Sequence, residues 1–176
     1  MYSEEHLYSI ALRECNLIGD INFYKLVRTF GSAKNAWLKA KKEYKKLDGF
    51  GFRMVSDIGN PEHLRFAENE IRFCEKNNIV INLRHFGDLP SLLSECNDAP
   101  AILYQKGNFD DKNQRISIVG TRNMTSYGQQ FLSDFFEETQ SCNYISVSGL
   151  ALGVDKEVHE QSIQKEIPTA AVLAHG

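Results

Sequence analysis

No stretch of the 176-residue chain stays apolar long enough to cross a bilayer. The first residues, MYSEEHLYSIALREC, carry Glu4 and Glu5 where a secretory leader is basic, and they lack its apolar centre. A cytoplasmic protein with no membrane partner is expected. The chain also has no C-x-x-C; Cys15, Cys74, Cys96 and Cys142 are scattered. That spacing reads as reduced thiols, with neither a disulfide framework nor a metal-ligand set. A Walker loop, a G-x-G-x-x-G turn and a Ser-His-Asp layout are all missing, so an enzyme reading has no nucleophile–base pair. No cofactor is expected.

A basic excess is absent too. The net charge is −3, and its distribution is uneven: +3 over residues 1–65, −2 over 66–109 and −4 over 110–176. Any phosphate binding in the last segment must therefore rest on backbone amides and a few placed cations, not on a general positive field.

What is present begins with short helices. Apolar spacing predicts one around Leu7–Ile18, a second from Asp20 to Phe30 stopped by Gly31, and a third from Ala33 to Lys41 with Ser32 as its cap. Pro61 can open a long helix to about Lys76. Short strands are expected at Ile79–Ile81 and Ala101–Gln105. The period then becomes strand, helix, strand, helix, strand over 116–120, 127–138, 144–148, 154–165 and 169–174. Continuous β-branched strands alternating with helices imply an α/β fold, with a parallel sheet joined by right-handed crossovers. The expected organisation is a small helical domain over 1–65, a linker helix with short strands over 66–115, and the first half of a Rossmann-like domain over 116–176. The two early strands are candidates to extend the parallel sheet. A doubly wound sheet usually has about five or six strands, so an N-terminal portion of a longer protein is expected.

Two strand-turn-helix junctions carry the chemistry. In ISIVGTRNMTSYG, Gly120 ends a strand and lets backbone approach a ligand, Thr121 offers a hydroxyl and an N–H, and Arg122 offers a planar fork of donors suited to phosphate. Ser126, Tyr127 and Gly128 open the next helix, whose positive end favours an anion. The plainer alternative is a tight turn with a surface arginine. In YISVSGLALGVD, Ser148, Gly149, Leu150, Ala151 and Gly153 form a small-residue loop whose amides can nest a phosphate. Lys156 adds a cation in the first helical turn. Asp155 and His159 are spaced i, i+4, which favours an intrahelical bond that organises the loop over a metal or catalytic pair. Tyr127 is the better stacking candidate, while Phe131 and Phe135 are expected in the core.

A third candidate is LDGFGFRMVSDI, with the Leu-x-Gly-x-Gly layout of a helix-hairpin-helix, whose turn presents N–H groups to a DNA backbone. Arg53 sits at its second helix, and Lys41, Lys42, Lys45 and Lys46 lie just before it. A solvated lysine face is the alternative. Phe50 reads as a hydrophobic cap on the small domain.

VGTRNMTSYG at 119–128 and SGLALGVDKEVH at 148–159 resemble the DNA-processing protein A (DprA/Smf) family. DAPAILYQKG at 98–107 and TAAVLAHG at the end are similar to further segments of that family. The resemblance implies a sterile-alpha-motif or helix-hairpin-helix domain followed by an extended Rossmann-like domain. It further implies that the protein binds single-stranded DNA taken up in natural transformation, protects it and loads the RecA recombinase, without catalysis. A homodimer is implied for the complete protein, with its interface beyond this chain. By position, Arg122 is expected on phosphate and the 148–153 loop is expected to give amides. Leu152 stands where many relatives have a cation, a gap that Lys156 is placed to fill. The alternative is a nucleotide-binding enzyme of the lysine-decarboxylase-like phosphoribohydrolase type, whose P-G-G-x-G-T segment is absent here.

Overall fold

The computed structural model of the chain describes residues 2–43, 47, 49–110 and 112–174. They form two compact units, Met1–Gly107 and Asn108–Gly176.

The first unit opens with α1 (Glu4–Glu14), α2 (Asp20–Phe30) and α3 (Ala33–Glu43). Gly31 ends α2 in the left-handed region at φ 84°, which a glycine adopts without a Cβ clash. Ser32 Oγ accepts from Asn35 N at 3.0 Å, capping α3 as its position predicts. Glu5 accepts the backbone amides of Ala33 and Lys34 at 2.5 and 3.2 Å, so a side chain of α1 satisfies further orphan donors of α3. The five-residue α4 (Phe52–Ser56) leads to α5 (Pro61–Asn77), where Pro61 takes the first helical turn and Asn60 Oδ1 accepts from Glu62 N. Leu12, Phe23, Leu26, Val55 and Ile58 are fully buried and form the core with Trp37 and Phe50.

β1 (Ile79–Leu83) pairs antiparallel with β2 (Ile102–Lys106). The short α6 (Ser91–Ser94) lies between them. Arg84 closes that connection by donating to the carbonyls of Cys96, Asn97 and Ala99. Ile81 and Leu83 point into the helical core. Thus α5 and both early strands belong to the first unit, and the two strands do not extend the parallel sheet as expected. The reason is the inward alternation of Ile81 and Leu83, which meets α1 and α5 and fixes which face is buried. Asp48, the second residue of the expected hairpin, lies outside the described residues.

The second unit is a parallel sheet in the order β3 (Gln114–Ser117), β4 (Tyr144–Ser148), β5 (Thr169–Ala171). The crossovers are α7 (Ser126–Thr139) and α8 (Val154–Gln164). Leu132, Phe136, Tyr144, Val158 and Ile167 make its small core. The βαβαβ alternation expected from the sequence is thus present, within one or two residues at most element ends. His175 and Gly176 lie outside the described residues.

Candidate functional site

β3 and β4 run in parallel register, Gln114 opposite Tyr144 through Ser117 opposite Val147, so their carboxyl ends open at one edge of the sheet. Pairing continues past the strands. Ile118 N donates to Val147 O at 3.0 Å, and Ser148 Oγ donates to Ile118 O at 2.7 Å. The two junction loops therefore leave side by side.

Asp155 ties them together. It sits in the first turn of α8 and is 7% exposed. Its Oδ1 accepts from Gly120 N at 3.3 Å and its Oδ2 accepts from Gly149 N at 3.2 Å. Val154 N also donates to Thr121 O at 3.1 Å. The contact between the loops is close enough to exclude side chains. A Cβ on Gly153 would stand 2.3 Å from Thr121 O and 2.5 Å from Arg122 O, and one on Gly120 would meet the Val154 side chain at 2.7 Å.

This geometry redistributes the expected roles. The amides of Gly120 and Gly149 were expected on phosphate, but they turn onto Asp155, because a buried carboxylate needs donors and these are at hand. Ser148 is buried, with its hydroxyl spent on Ile118, so it joins the strands rather than facing a ligand. Among the described residues, the amide nitrogens of Thr121, Arg122, Leu150, Ala151, Leu152 and Gly153 have no hydrogen-bond partner. The side chains of Thr121, Arg122, Leu150 and Leu152 are exposed and that of Ala151 is half-buried. Leu150 holds φ at 57°, a left-handed turn uncommon for a branched residue. Thr121 Oγ1 accepts from Asn123 N at 3.1 Å and so shapes its own turn.

Thr125, passed over in the sequence, caps α7 by accepting from Gly128 N at 3.2 Å. Ser126 is exposed at the start of that helix, and Tyr127 is 80% exposed. Phe131 is 56% exposed and stacks on Phe135 with centroids 6.4 Å apart, so the expectation of a buried Phe131 is corrected. Two i, i+4 apolar pairs lie on α7, and it is Leu132 and Phe136 that are buried in the unit's core. Lys156 forms an exposed i, i+4 pair with Glu160 at 3.3 Å, an interaction too weak to remove its ammonium from the surface. In the first unit Lys41, Lys42 and Arg53 are exposed and Phe50 is buried, while Lys45 and Lys46 lie outside the described residues.

His159 does not bond to Asp155, contrary to the i, i+4 expectation. Its Nδ1 meets Thr169 Oγ1 at 2.7 Å, and Ser146 Oγ donates to that same hydroxyl oxygen at 2.8 Å and meets Ser162 Oγ at 2.7 Å. His159 thus fastens β5 to α8, a role that spacing along one helix does not reveal. Burial lowers its pKa, with the charge of Asp155 opposing. A depressed histidine contributes stability that is complete above the unfolded value and is lost as pH falls through the folded one. Thermal melts of the chain between about pH 7 and 5 should therefore show a fall in Tm that is shallower in His159→Gln. Equal slopes would show that the imidazole is not linked to folding.

Residues 77–176 match the family described as DNA recombination-mediator protein A. Over its whole length the chain is 28% identical to the protein Smf of Synechocystis sp., covering 46% of that relative. Over 57% of its length it is 37% identical to the DNA processing protein DprA of Bacillus subtilis, covering 33% of it. The X-ray structure of DNA processing protein A from Streptococcus pneumoniae superposes on 99% of the chain with a TM-score of 0.61 at 21% identity, covering 59% of that structure. That likeness concerns the fold. The chain spans less than half the length of each of these two relatives. With its family match covering more than half of its residues, and the two junctions inside the matched segment, the chain belongs to the DNA recombination-mediator protein A family.

Proposed function

We propose that the protein processes DNA as a non-enzymatic binder of single strands, and that the two joined loops of the second unit grip the sugar-phosphate backbone. The observation that carries this reading is the Asp155 tie. It holds two loops side by side with unpartnered amides at Thr121, Arg122 and Leu150–Gly153 next to one exposed guanidinium. Such an arrangement suits an anion despite the acidic surround, because the donors are fixed and no general field is needed. Thr121, Arg122, Ser126 and Lys156 would contact phosphate, and Tyr127 would stack a base. Gly120, Gly149 and Ser148 would act indirectly, by shaping the loops. The names of the relatives, DNA processing protein and recombination mediator, support the same reading. The complete protein would act in the cytoplasm as a homodimer that hands incoming DNA to RecA.

Fluorescence anisotropy with labelled oligo-dT over a salt series tests it. The 176-residue chain should bind weakly, and Arg122→Ala should weaken binding about tenfold at low salt. The same change should make the logarithmic salt dependence shallower by about 0.7. Unchanged affinity and slope in Arg122→Ala would remove the DNA role from this junction. Turnover of a nucleoside monophosphate by the complete protein would favour a phosphoribohydrolase instead.

A further inference from the structure

The first unit brings together three side chains of metal-ligating type from three different elements. Cys15 is the residue that ends α1, Asp57 ends α4, and His63 lies in the first turn of α5. Their ligand atoms, a sulfur, a carboxylate oxygen and an imidazole nitrogen, all lie within 4.8 Å of one another. Cys15 is buried, and Asp57 and His63 are half-buried.

His63 makes the cluster unusual. Its Nε2 is shielded from solvent, and its polar neighbour is Asp57 Oδ2, 3.1 Å away. The two atoms stand at ion-pair distance. In a tetrahedral zinc site with N and O ligands at about 2.0–2.1 Å, the N···O edge is about 3.3–3.4 Å. The observed separation is thus close to the one that two ligands of one ion adopt. Asp57 is also held in place. Asn16 donates its backbone amide and its side-chain amide to Oδ2 at 2.8 and 3.2 Å, which fixes the carboxylate and leaves Oδ1 as its second oxygen for a ligand. Trp37 packs edge-on against the His63 ring with centroids 6.5 Å apart and fixes its plane.

We propose that Cys15, Asp57 and His63 form a zinc site in the first unit. A thiolate, a carboxylate and a neutral imidazole balance the charge of a dication, and three protein ligands leave the fourth position to water. In the metal-free chain the Cys15 thiol donates weakly to Ala11 O at 3.4 Å, and burial pushes its pKa up to about 12. Binding would break the S–H bond, release one proton to solvent and form the Zn–S bond. The ion would pin the end of α1 to the α4–α5 corner. This proposal is independent of the DNA reading, since it lies wholly in the first unit.

The experiment uses the chelator-treated 176-residue chain. Isothermal titration with Zn2+ should show one equivalent bound, with a rise in Tm. Co2+ should give a sulfur-to-metal charge-transfer band and quench Trp37, the only tryptophan in the chain. Cys15→Ser should abolish the band, and His63→Gln should lower Zn2+ affinity by at least about a hundredfold, above the range that outer-shell losses reach. The Cys96→Ser/Cys142→Ser double variant, which removes the two exposed thiols, should bind as the parent does. Should Cys15→Ser fail to fold, the parent's cobalt band and the His63→Gln titration decide. Absence of one-equivalent binding, a cobalt complex without the band, or undiminished affinity in His63→Gln would each overturn the site.

Discussion

Gly153→Ala should destabilise the second unit by about 3–5 kcal/mol and abolish the joined-loop geometry. Two penalties coincide. The residue holds φ 83° and ψ −125°, a conformation that a side chain strongly disfavours. The new methyl would also overlap two backbone oxygens, at 2.3 and 2.5 Å, and backbone cannot rotate away as a flexible side chain can. The loops would have to separate, losing the Val154 N to Thr121 O bond between them. Chemical denaturation of the chain measures the first effect. Anisotropy with oligo-dT measures the second, and DNA binding should fall with stability rather than survive it. A variant as stable as the parent would mean that the loops need not touch.

Asp155→Ala should cost about 2–4 kcal/mol, because it removes an acceptor shared by two amides from a position that is almost wholly buried. Asp155→Asn should recover about half, since the amide keeps one acceptor oxygen but turns an N–H toward a second donor. Hydrogen exchange at Gly120 and Gly149 would report the loss directly. Both amides should exchange faster in Asp155→Ala, while amides in the centre of α7 change only through global stability. Equal protection in the variant would show that the carboxylate does not join the loops. The two substitutions act on one contact region, so their double variant should fall short of the sum.

These expectations rest on a contact that spacing could suggest but not draw. Asp155 was legible as a loop organiser, since an acidic residue in a first helical turn beside a glycine-rich loop has few other tasks. Its partners were not. The i, i+4 rule pointed to His159 because it counts positions on one helix, whereas the donors come from two loops that are 29 residues apart at their glycines. For the same reason Gly120 and Gly149 read as phosphate donors when their N–H groups are in fact consumed. Phe131 shows a similar limit. Its spacing with Phe135 is helical, but so is that of Leu132 with Phe136, and only packing says which stripe is covered. Cys15, Asp57 and His63 show it most plainly, since 42 and 6 residues separate them and no metal-site spacing announces them.

Local chemistry in the chain was enough to set the alternation of strand and helix in the second unit, the stops and caps at Gly31, Ser32 and Pro61, and the placing of Arg122 on a turn. Each of these follows from interactions between residues a few positions apart, which linear order records. Tertiary structure alone decided that the early strands would pair with each other inside the helical unit. It also decided that Asp155 would spend two amides, and that three potential ligands would meet at one corner. Those outcomes depend on which buried faces and unsatisfied donors meet across long stretches of chain, and a buried polar group takes whatever partner the packing puts within reach.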